Sequence, residues 1–162
     1  MVSYRLIIGI IVGVVLSFVS VFFFNMENII NQIQINADSN IMKAIALLIG
    51  ANFQFDIIAF FTGTSTISGF FAAQLLAWLF IGYISGSISK GLRRGIMAAL
   101  LVVIIDILFW IIFSIISGED LMALFQGIRL AETLGGIISG FLGALIGGLI
   151  GGLISGPYEE IY

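Results

Sequence analysis

From Gly135 to Gly156 the chain reads GGIISGFLGALIGGLIGGLISG, in which pairs of small residues alternate with pairs of large apolar residues. In a helix in water, each glycine would cost about 1 kcal/mol relative to alanine. In a lipid bilayer, small residues instead allow helix backbones to approach closely, and this packing drives helix association. The stretch therefore predicts a membrane-spanning helix, the fourth of this chain, that makes intimate contacts with its neighbours.

The small pairs recur every four residues, whereas an α-helix turns once in 3.6 residues, so each pair moves the small face by about 40° around the axis. Five steps turn it roughly halfway round, and one straight partner cannot follow such a face. We expect either a partner that crosses at a right-handed angle or different neighbours for the two ends. Those neighbours are helices of the same chain, a second copy or a larger complex, and a pore lined by the glycines is a further alternative. The expected packing residues are Gly135, Gly136, Gly140, Gly143, Gly147, Gly148, Gly151, Gly152 and Gly156.

The composition indicates that lipid is the solvent for much of the surface. The chain has 162 residues, of which 60% are hydrophobic and only 9% are charged, and its mean hydropathy is +1.23. A water-soluble domain carries about 25% charged residues, because its surface must be hydrated. We therefore expect an all-α polytopic membrane protein that forms a single domain over residues 1–162.

Four segments are long and apolar enough to cross a bilayer. A spanning helix needs about 20 mainly apolar residues, since each adds about 1.5 Å across a core of about 30 Å. The first segment follows Arg5, as in a signal peptide, but it is long enough to span and has no small-residue cleavage site, so we interpret it as a retained helix. The predicted spans are residues 6–24, 67–88, 96–116 and 134–154.

The basic residues set the expected orientation, because cytoplasmic loops are enriched in Lys and Arg. With four spans and the N-terminus inside, four basic residues lie on the cytoplasmic side and two lie outside. Both termini are therefore expected on the cytoplasmic side of the cell membrane. The inner residues are Arg5, Lys90, Arg93 and Arg94, and the outer ones are Lys43 and Arg129.

A fifth apolar segment, residues 41–61, is not expected to cross the membrane. A crossing would move the basic residues between the second and third spans to the outer side, against the charge rule. The tripeptide Gly50-Ala51-Asn52 also favours a turn, and Asp38-Ser39-Asn40 can cap a helix that begins at Ile41. We interpret the segment as two half-helices on the outer side, either re-entrant or at the interface.

The chain shows signs of a duplicated two-helix hairpin. Gly82-Tyr-Ile-Ser-Gly86, near the end of the second span, resembles Gly152-Leu-Ile-Ser-Gly156, near the end of the fourth. When the first and third spans are aligned on Arg5 and Arg94, Ser17 meets Asp106. Apolar helices align readily with one another, so a four-helix bundle without duplication is the alternative.

Asp106 lies within the third span, twelve residues after Arg94 and near the middle of the membrane. A charged side chain there costs at least about 2.5–3.5 kcal/mol, which makes a functional role the default hypothesis. Ser17 and Gln74 lie at similar depth, so Asp106, Gln74 and Ser17 form a candidate intramembrane polar site. The alternatives are a neutral acid that only stabilises the fold, a proton or cation site, and a carboxylate paired with a cation on another subunit.

Several chemistries lack the residues they need. The chain has no Cys and no His, which excludes thiolate nucleophiles, His-based triads and Cys/His zinc sites. The carboxylates and hydroxyls form no recognisable nucleophile–base pair, so we expect no enzyme activity, no cofactor and no metal. The six Lys and Arg residues form no basic patch, so nucleic-acid binding is not expected.

The stretch GYISGSISKGLRRG from Gly82 to Gly95, followed by one helix and then the glycine-rich helix, resembles small four-helix membrane proteins of unknown function that are common in archaea. The resemblance covers about half of the chain, and the segment from Asn25 to Thr66 departs from it. It implies a four-helix fold and supplies no activity.

Three functional hypotheses follow from these patterns. The leading one is a non-catalytic membrane subunit or scaffold that packs through the glycine-rich fourth helix, with itself as a homo-oligomer or with a larger membrane complex. The second is a small ion channel or transporter that uses the carboxylate of Asp106. A membrane enzyme ranks last, because no residue set resembles a catalytic site.

Overall fold

A computed structural model describes residues 4–24, 30–31, 34–35, 40–53, 73–118, 120, 122, 126 and 128–157. No strand occurs in these ranges, so the predicted all-α class is confirmed. The predicted second half-helix at residues 54–61 and the start of the second span at residues 67–72 lie outside them. The helices are α1 (Tyr4–Phe24), α2 (Ile41–Gly50), α3 (Ala73–Ser89), α4 (Leu92–Ser117) and α5 (Ile128–Ile154), and a 3-10 turn at Ala51–Phe53 follows α2.

Two of the described helices are long and apolar enough to cross a membrane, by length and composition. They are α4 and residues Thr133–Ile154 of α5. The described apolar parts of α1 and α3, Tyr4–Ser20 and Gln74–Ser89, are shorter. Both long helices begin before the predicted spans, since a helix extends beyond its apolar part wherever the adjoining residues favour helix.

The connection between α3 and α4 consists of two residues, Lys90 and Gly91, which both have positive φ (49° and 84°). Gly91 precedes α4, and its carbonyl accepts a hydrogen bond from the backbone N of Gly95 over 2.8 Å. Glycine suits this backbone conformation because it has no Cβ. Arg93 and Arg94 consequently lie in the first turn of α4, so the basic loop is shorter than the sequence pattern predicts.

Contacts made by glycines define the directions of α1, α3, α4 and α5. Helices adjacent in this series run antiparallel, while α3 and α5 run parallel and touch through their backbones. The result is an up-down-up-down bundle. The facing pairs are Gly9–Ser89 and Gly13–Ser85 between α1 and α3, Gly82–Ala144 and Gly86–Gly148 between α3 and α5, and Gly148–Gly95 and Gly152–Gly91 between α5 and α4.

One part of the small face of α5 packs against α3. A Cβ added at Gly147 would overlap the carbonyl oxygen of Leu79, and one added at Gly151 would overlap that of Tyr83. These glycines let the two helix backbones come into direct contact, which a side chain of any size would prevent.

Other parts of the same face pack against α4 and against the 3-10 turn. A Cβ at Gly148 would lie 2.8 Å from the carbonyl oxygen of Gly95, and one at Gly136 would overlap the carbonyl of Phe53. The first glycines of successive pairs, from Gly143 to Gly151, thus meet α3, the second glycines at Gly148 and Gly152 meet α4, and Gly136 meets the 3-10 turn. Gly156 differs from the expectation: nothing lies within 4 Å of its Cβ position, and with φ at 78° it ends the helix instead of packing.

α2 enters the bundle at the end where α4 finishes. Asn40 caps its first turn by accepting a hydrogen bond from the backbone N of Lys43 (3.2 Å), and its Nδ2 donates to the carbonyl of Ser117 (3.1 Å). The helix ends at Gly50, within the tripeptide that the sequence predicts as a break, and a Cβ there would lie 2.7 Å from Trp110 Nε1. Ten residues give α2 a length of about 15 Å, half the thickness of a bilayer core.

The 3-10 turn lies inside the bundle, and all three of its residues are buried. Phe53 is 1% exposed and belongs to the hydrophobic core. The buried members of this core come from every helix except α1. We call Ala51–Phe53 the α2 tip. The buried core residues are Ile49, Phe53, Trp78, Ile81, Ala99, Val102, Val103, Trp110 and Ala144.

Candidate interior polar site

Polar side chains are buried in the bundle around the α2 tip. They come from α1, the tip itself, α4 and α5, so four separate parts of the chain supply them. An apolar core normally excludes such groups unless they find hydrogen-bond partners. The residues are Ser17, Ser20, Asn52, Asp106, Ser114 and Ser139.

Asn52 ties the α2 tip to α1. Its Nδ2 donates a hydrogen bond to the backbone carbonyl of Ser17 over 3.0 Å. The Ser20 hydroxyl lies 3.2 Å from Asn52 Oδ1 and 2.8 Å from the Ser17 carbonyl, so its single hydrogen is shared between two acceptors. Both polar atoms of the Asn52 side chain are therefore partnered, and the tip has a fixed position on α1.

Aromatic side chains hold the α2 tip from two further directions. Trp78 of α3 donates from Nε1 to the backbone carbonyl of Asn52 over 3.0 Å. The Phe53 ring lies between the two indoles, with centroids 5.3 Å from Trp78 and 5.7 Å from Trp110, the latter pair stacked at 15°. Offset aromatic pairs at such distances stabilise beyond the area they bury. The tip is thus fixed to α1, α3 and α4 together.

Asp106 is wholly buried, at 0% exposure, on the inner face of α4. Neither carboxyl oxygen has a hydrogen-bond partner among the described residues. The Ser17 side chain neighbours the carboxyl, but its hydroxyl hydrogen is donated to the carbonyl of Val14 over 2.7 Å. In this arrangement Ser17 Oγ can accept a hydrogen bond from a protonated carboxyl and has no hydrogen left to donate to a carboxylate. The packing therefore suits the neutral acid.

The structure brings together two of the three residues predicted for this site. Ser17 and Asp106 are neighbours, whereas Gln74 is half-buried and makes no hydrogen bond to the carboxyl. Depth counted along each helix predicts all three at one level, but the contact of Gly13 with Ser85 puts the turn that begins at Trp78 opposite Ser17, so Gln74 lies one turn away along α3. Trp78, on the same face of α3 as Gln74, lies at the level of the α2 tip, and Asn52 is the polar residue that reaches Ser17. The break at Gly50 signalled where Asn52 turns inward, but not which helix it would meet.

Two further hydroxyls, those of Ser114 and Ser139, are buried without a partner among the described residues. Ser114 lies two turns after Asp106 on the same face of α4, with Trp110 between them. Ser139 lies on α5 within the small face. The hydroxyl of a serine in a helix usually donates to a carbonyl one turn earlier, as those of Ser17 and Ser20 do. The hydroxyls of Ser114 and Ser139 make no such bond.

Neither a metal-binding group nor a known relative indicates what this site binds. In the described ranges no group of three or more His, Cys, Asp or Glu side chains is placed to hold a metal ion. No protein-family model, curated protein or solved structure matches the chain.

Proposed function

We propose that the chain is a four-span membrane protein with both termini on the cytoplasmic side. Large apolar side chains are exposed on α1, α3, α4 and α5 alike, which suits a bundle surrounded by lipid on all sides. The contact of Gly9 with Ser89 places the start of α1 beside the α3–α4 connection. Arg5 and Lys90 therefore lie at the same end of the bundle, as the positive-inside rule requires. The pairs α1–α3 and α4–α5 share one orientation, which also suits a duplicated hairpin.

In this orientation α2 is a re-entrant half-helix that enters from the outer side. Its first residue follows Asn40, which is bonded to the outer end of α4, and its tip lies at mid-depth beside Ser17. Irregular backbone at membrane depth is tolerated where it is buried in protein, as it is here.

The function supported best is translocation of a proton or small cation, without catalysis or a cofactor. The observation that carries this proposal is Asp106, a wholly buried carboxyl without a partner among the described residues, beside the tip of a half-helix. Ionisable residues inside membrane bundles mark ion pathways and proton relays. Transporters commonly place such sites at the ends of broken helices near the midplane.

A second candidate is a non-catalytic membrane subunit or scaffold in a homo-oligomer or larger complex. The small face of α5, which the sequence offered for this role, is filled by α3, α4 and the α2 tip in a single chain. The feature that favours a subunit is instead an exposed apolar row on α1, which recurs every four residues and consists of Ile7, Ile11, Val15 and Val19. A native mass above that of one chain in mild detergent would support this candidate.

The test of translocation is flux into liposomes that contain the purified protein. Internal pH and the uptake of radioactive sodium and potassium are followed after a gradient is imposed. We expect flux of one of these ions above that of empty liposomes, and its loss in Asp106→Asn. The matched control is Asp120→Asn, which makes the same chemical change at an exposed position. If no ion moves faster than in empty liposomes, or if Asp106→Asn equals the wild type, the proposal is wrong.

A further inference from the structure

We infer that the species bound by this site is a proton carried on the carboxyl of Asp106, and that Ser17 is its positioning partner. This inference rests on the proposed function and names the ion. It is carried by the contacts of the oxygen atoms around the carboxyl, which suit a neutral acid and leave few oxygens for a metal cation.

The oxygens of the α2 tip and of the α1 backbone beside it are already engaged, whereas the Ser114 and Ser139 hydroxyls are buried without a partner among the described residues. The Asn52 side-chain oxygen lies against the Ser20 hydroxyl, the Asn52 carbonyl accepts from Trp78, and the Ser17 carbonyl accepts from both Asn52 and Ser20. A sodium or potassium ion replaces its hydration shell with several oxygen ligands at once. To complete its ligand set from the α2 tip, such an ion would have to break these hydrogen bonds, whereas a proton requires one acceptor.

The positions of the charged side chains also favour a proton as the bound species. On the elements that pack against α4, the described titratable side chains are Tyr4 and Arg5 of α1, Lys43 of α2 and Tyr83 of α3, and α4 itself carries Arg93 and Arg94, at least twelve residues before Asp106. Arg5 lies twelve residues before Ser17 and Lys43 nine before Asn52, which separates them by about 18 Å and 13 Å along their helices. Tyr83 lies five residues beyond Trp78, more than one turn towards the other end. None of them neutralises a carboxylate at Asp106, so protonation is the means that the described residues provide.

Ser17 can serve both protonation states, because a hydroxyl both donates and accepts. With the acid protonated, Ser17 donates to Val14 and its Oγ accepts the carboxyl hydrogen. When the proton leaves for water, the O–H bond of the acid breaks and the carboxylate keeps the electron pair. The Ser17 hydroxyl then rotates to donate to the carboxylate, and re-protonation reverses both changes. No electron is transferred and no other reactant is needed.

The test compares Ser17→Ala, Ser17→Thr and Asp106→Asn in liposomes, with Asp120→Asn as control, and records proton and radioactive sodium flux in parallel. Ser17→Ala should reduce proton flux about tenfold or more, because the carboxylate loses a charge-assisted hydrogen bond, while Ser17→Thr should keep it. Equal proton flux in Ser17→Ala and wild type would overturn the role of Ser17. Sodium flux that depends on Asp106, with proton flux that does not, would overturn the choice of ion and leave translocation intact. If neither flux depends on Asp106, the proposed function itself fails.

A second measurement applies to the wild type and does not depend on flux. Infrared difference spectra at neutral pH should show the carbonyl stretch of a protonated carboxylic acid that is absent from Asp106→Asn. The band should move to higher frequency in Ser17→Ala, where the acid loses its acceptor, and stay in place in Ser17→Thr. Absence of the band from folded wild-type protein would show that Asp106 is ionised and would overturn the inference.

Discussion

The side chain of Asn52 donates a hydrogen bond from Nδ2 to the backbone carbonyl of Ser17 over 3.0 Å, and both residues are buried. The bond joins a half-helix tip to the middle of α1, across 35 residues of chain. Ser17 therefore contacts the tip through its backbone and the carboxyl of Asp106 through its side chain. Through Ser17, a shift of the α2 tip can therefore move the group that neighbours the carboxyl of Asp106, and a change at the carboxyl can shift the tip.

Asn52→Ala removes the side-chain bonds that hold the tip on α1. Interhelical hydrogen bonds of membrane proteins contribute about 0.6 kcal/mol on average and at most about 1.7, so the loss of both side-chain bonds should lower the free energy of unfolding by about 1–2 kcal/mol. Reversible unfolding in mixed micelles measures it. Ser155→Ala is the control, since it removes only a bond within the last turn of α5. Equal losses in the two variants would show that the Asn52 bonds contribute nothing specific.

Trp78→Phe separates the hydrogen bond of the indole from its packing. The substitution keeps an aromatic ring beside Phe53 but removes the donor to the Asn52 carbonyl, and should cost about 1 kcal/mol or more because that carbonyl is buried. Trp110→Phe is the matched control, because it keeps the stacked ring, and we expect a smaller loss. Unfolding of both variants is followed by the fluorescence of the remaining tryptophan. A larger loss in Trp110→Phe would contradict this account of the tip.

Much of the helix content follows from local patterns in the sequence. Asn40 caps α2 because its side chain reaches the backbone N of Lys43, a contact within one turn. The helix ends at Gly50, inside a tripeptide rich in turn-forming residues. Such features depend on neighbours a few residues apart, so the sequence shows them directly.

The composition of the polar site depends on contacts that the local sequence does not show. The sequence predicts Ser17, Gln74 and Asp106 together, from their depth along three helices. Each helix can also shift along its neighbours, and the register of α3 is set by its contacts with Gly9 and Gly13 of α1 and with Ala144 and Gly148 of α5. That register puts Trp78 at the α2 tip and leaves Gln74 half-buried one turn before it, while the bond from Asn52 to Ser17 spans separate elements.

The proposed orientation is tested by cysteines placed at exposed positions at each end of the bundle. The chain has no native cysteine, so single substitutions report cleanly. Leu92→Cys, at the start of α4, should react only from the cytoplasmic side, and Met122→Cys, beyond its end, only from outside. Ser89 is a poor choice, because it is wholly buried and its hydroxyl donates to Ser85. Outside labelling of Leu92→Cys in intact cells would reverse the orientation or remove a span.

Leucine at successive small positions of α5 should disrupt separate contacts, because the two members of a glycine pair face different helices. Gly147→Leu places a side chain against the backbone of α3 at Leu79, and Gly148→Leu places one against α4, where even a Cβ lies 2.6 Å from that of Ala99. Overpacking of a tight core costs about 1–3 kcal/mol and sometimes more, so both variants should unfold at lower temperature. Gly136→Leu instead meets the carbonyl of Phe53 and should displace the α2 tip.

The three leucine variants should be distinguishable by what else they change. Gly136→Leu should expose Trp78 and Trp110, which both pack on Phe53, and so shift tryptophan emission to longer wavelength. Gly147→Leu and Gly148→Leu lie further along α5 and should lower stability with a smaller shift. Ile146→Leu is the control, since this side chain is 45% exposed and the exchange conserves its volume. All four variants should keep the assembly mass of the parent, because the small face is filled within one chain. Loss of a larger assembly in Gly147→Leu or Gly148→Leu, with the thermal stability unchanged, would show that these glycines contact another subunit and not α3 or α4.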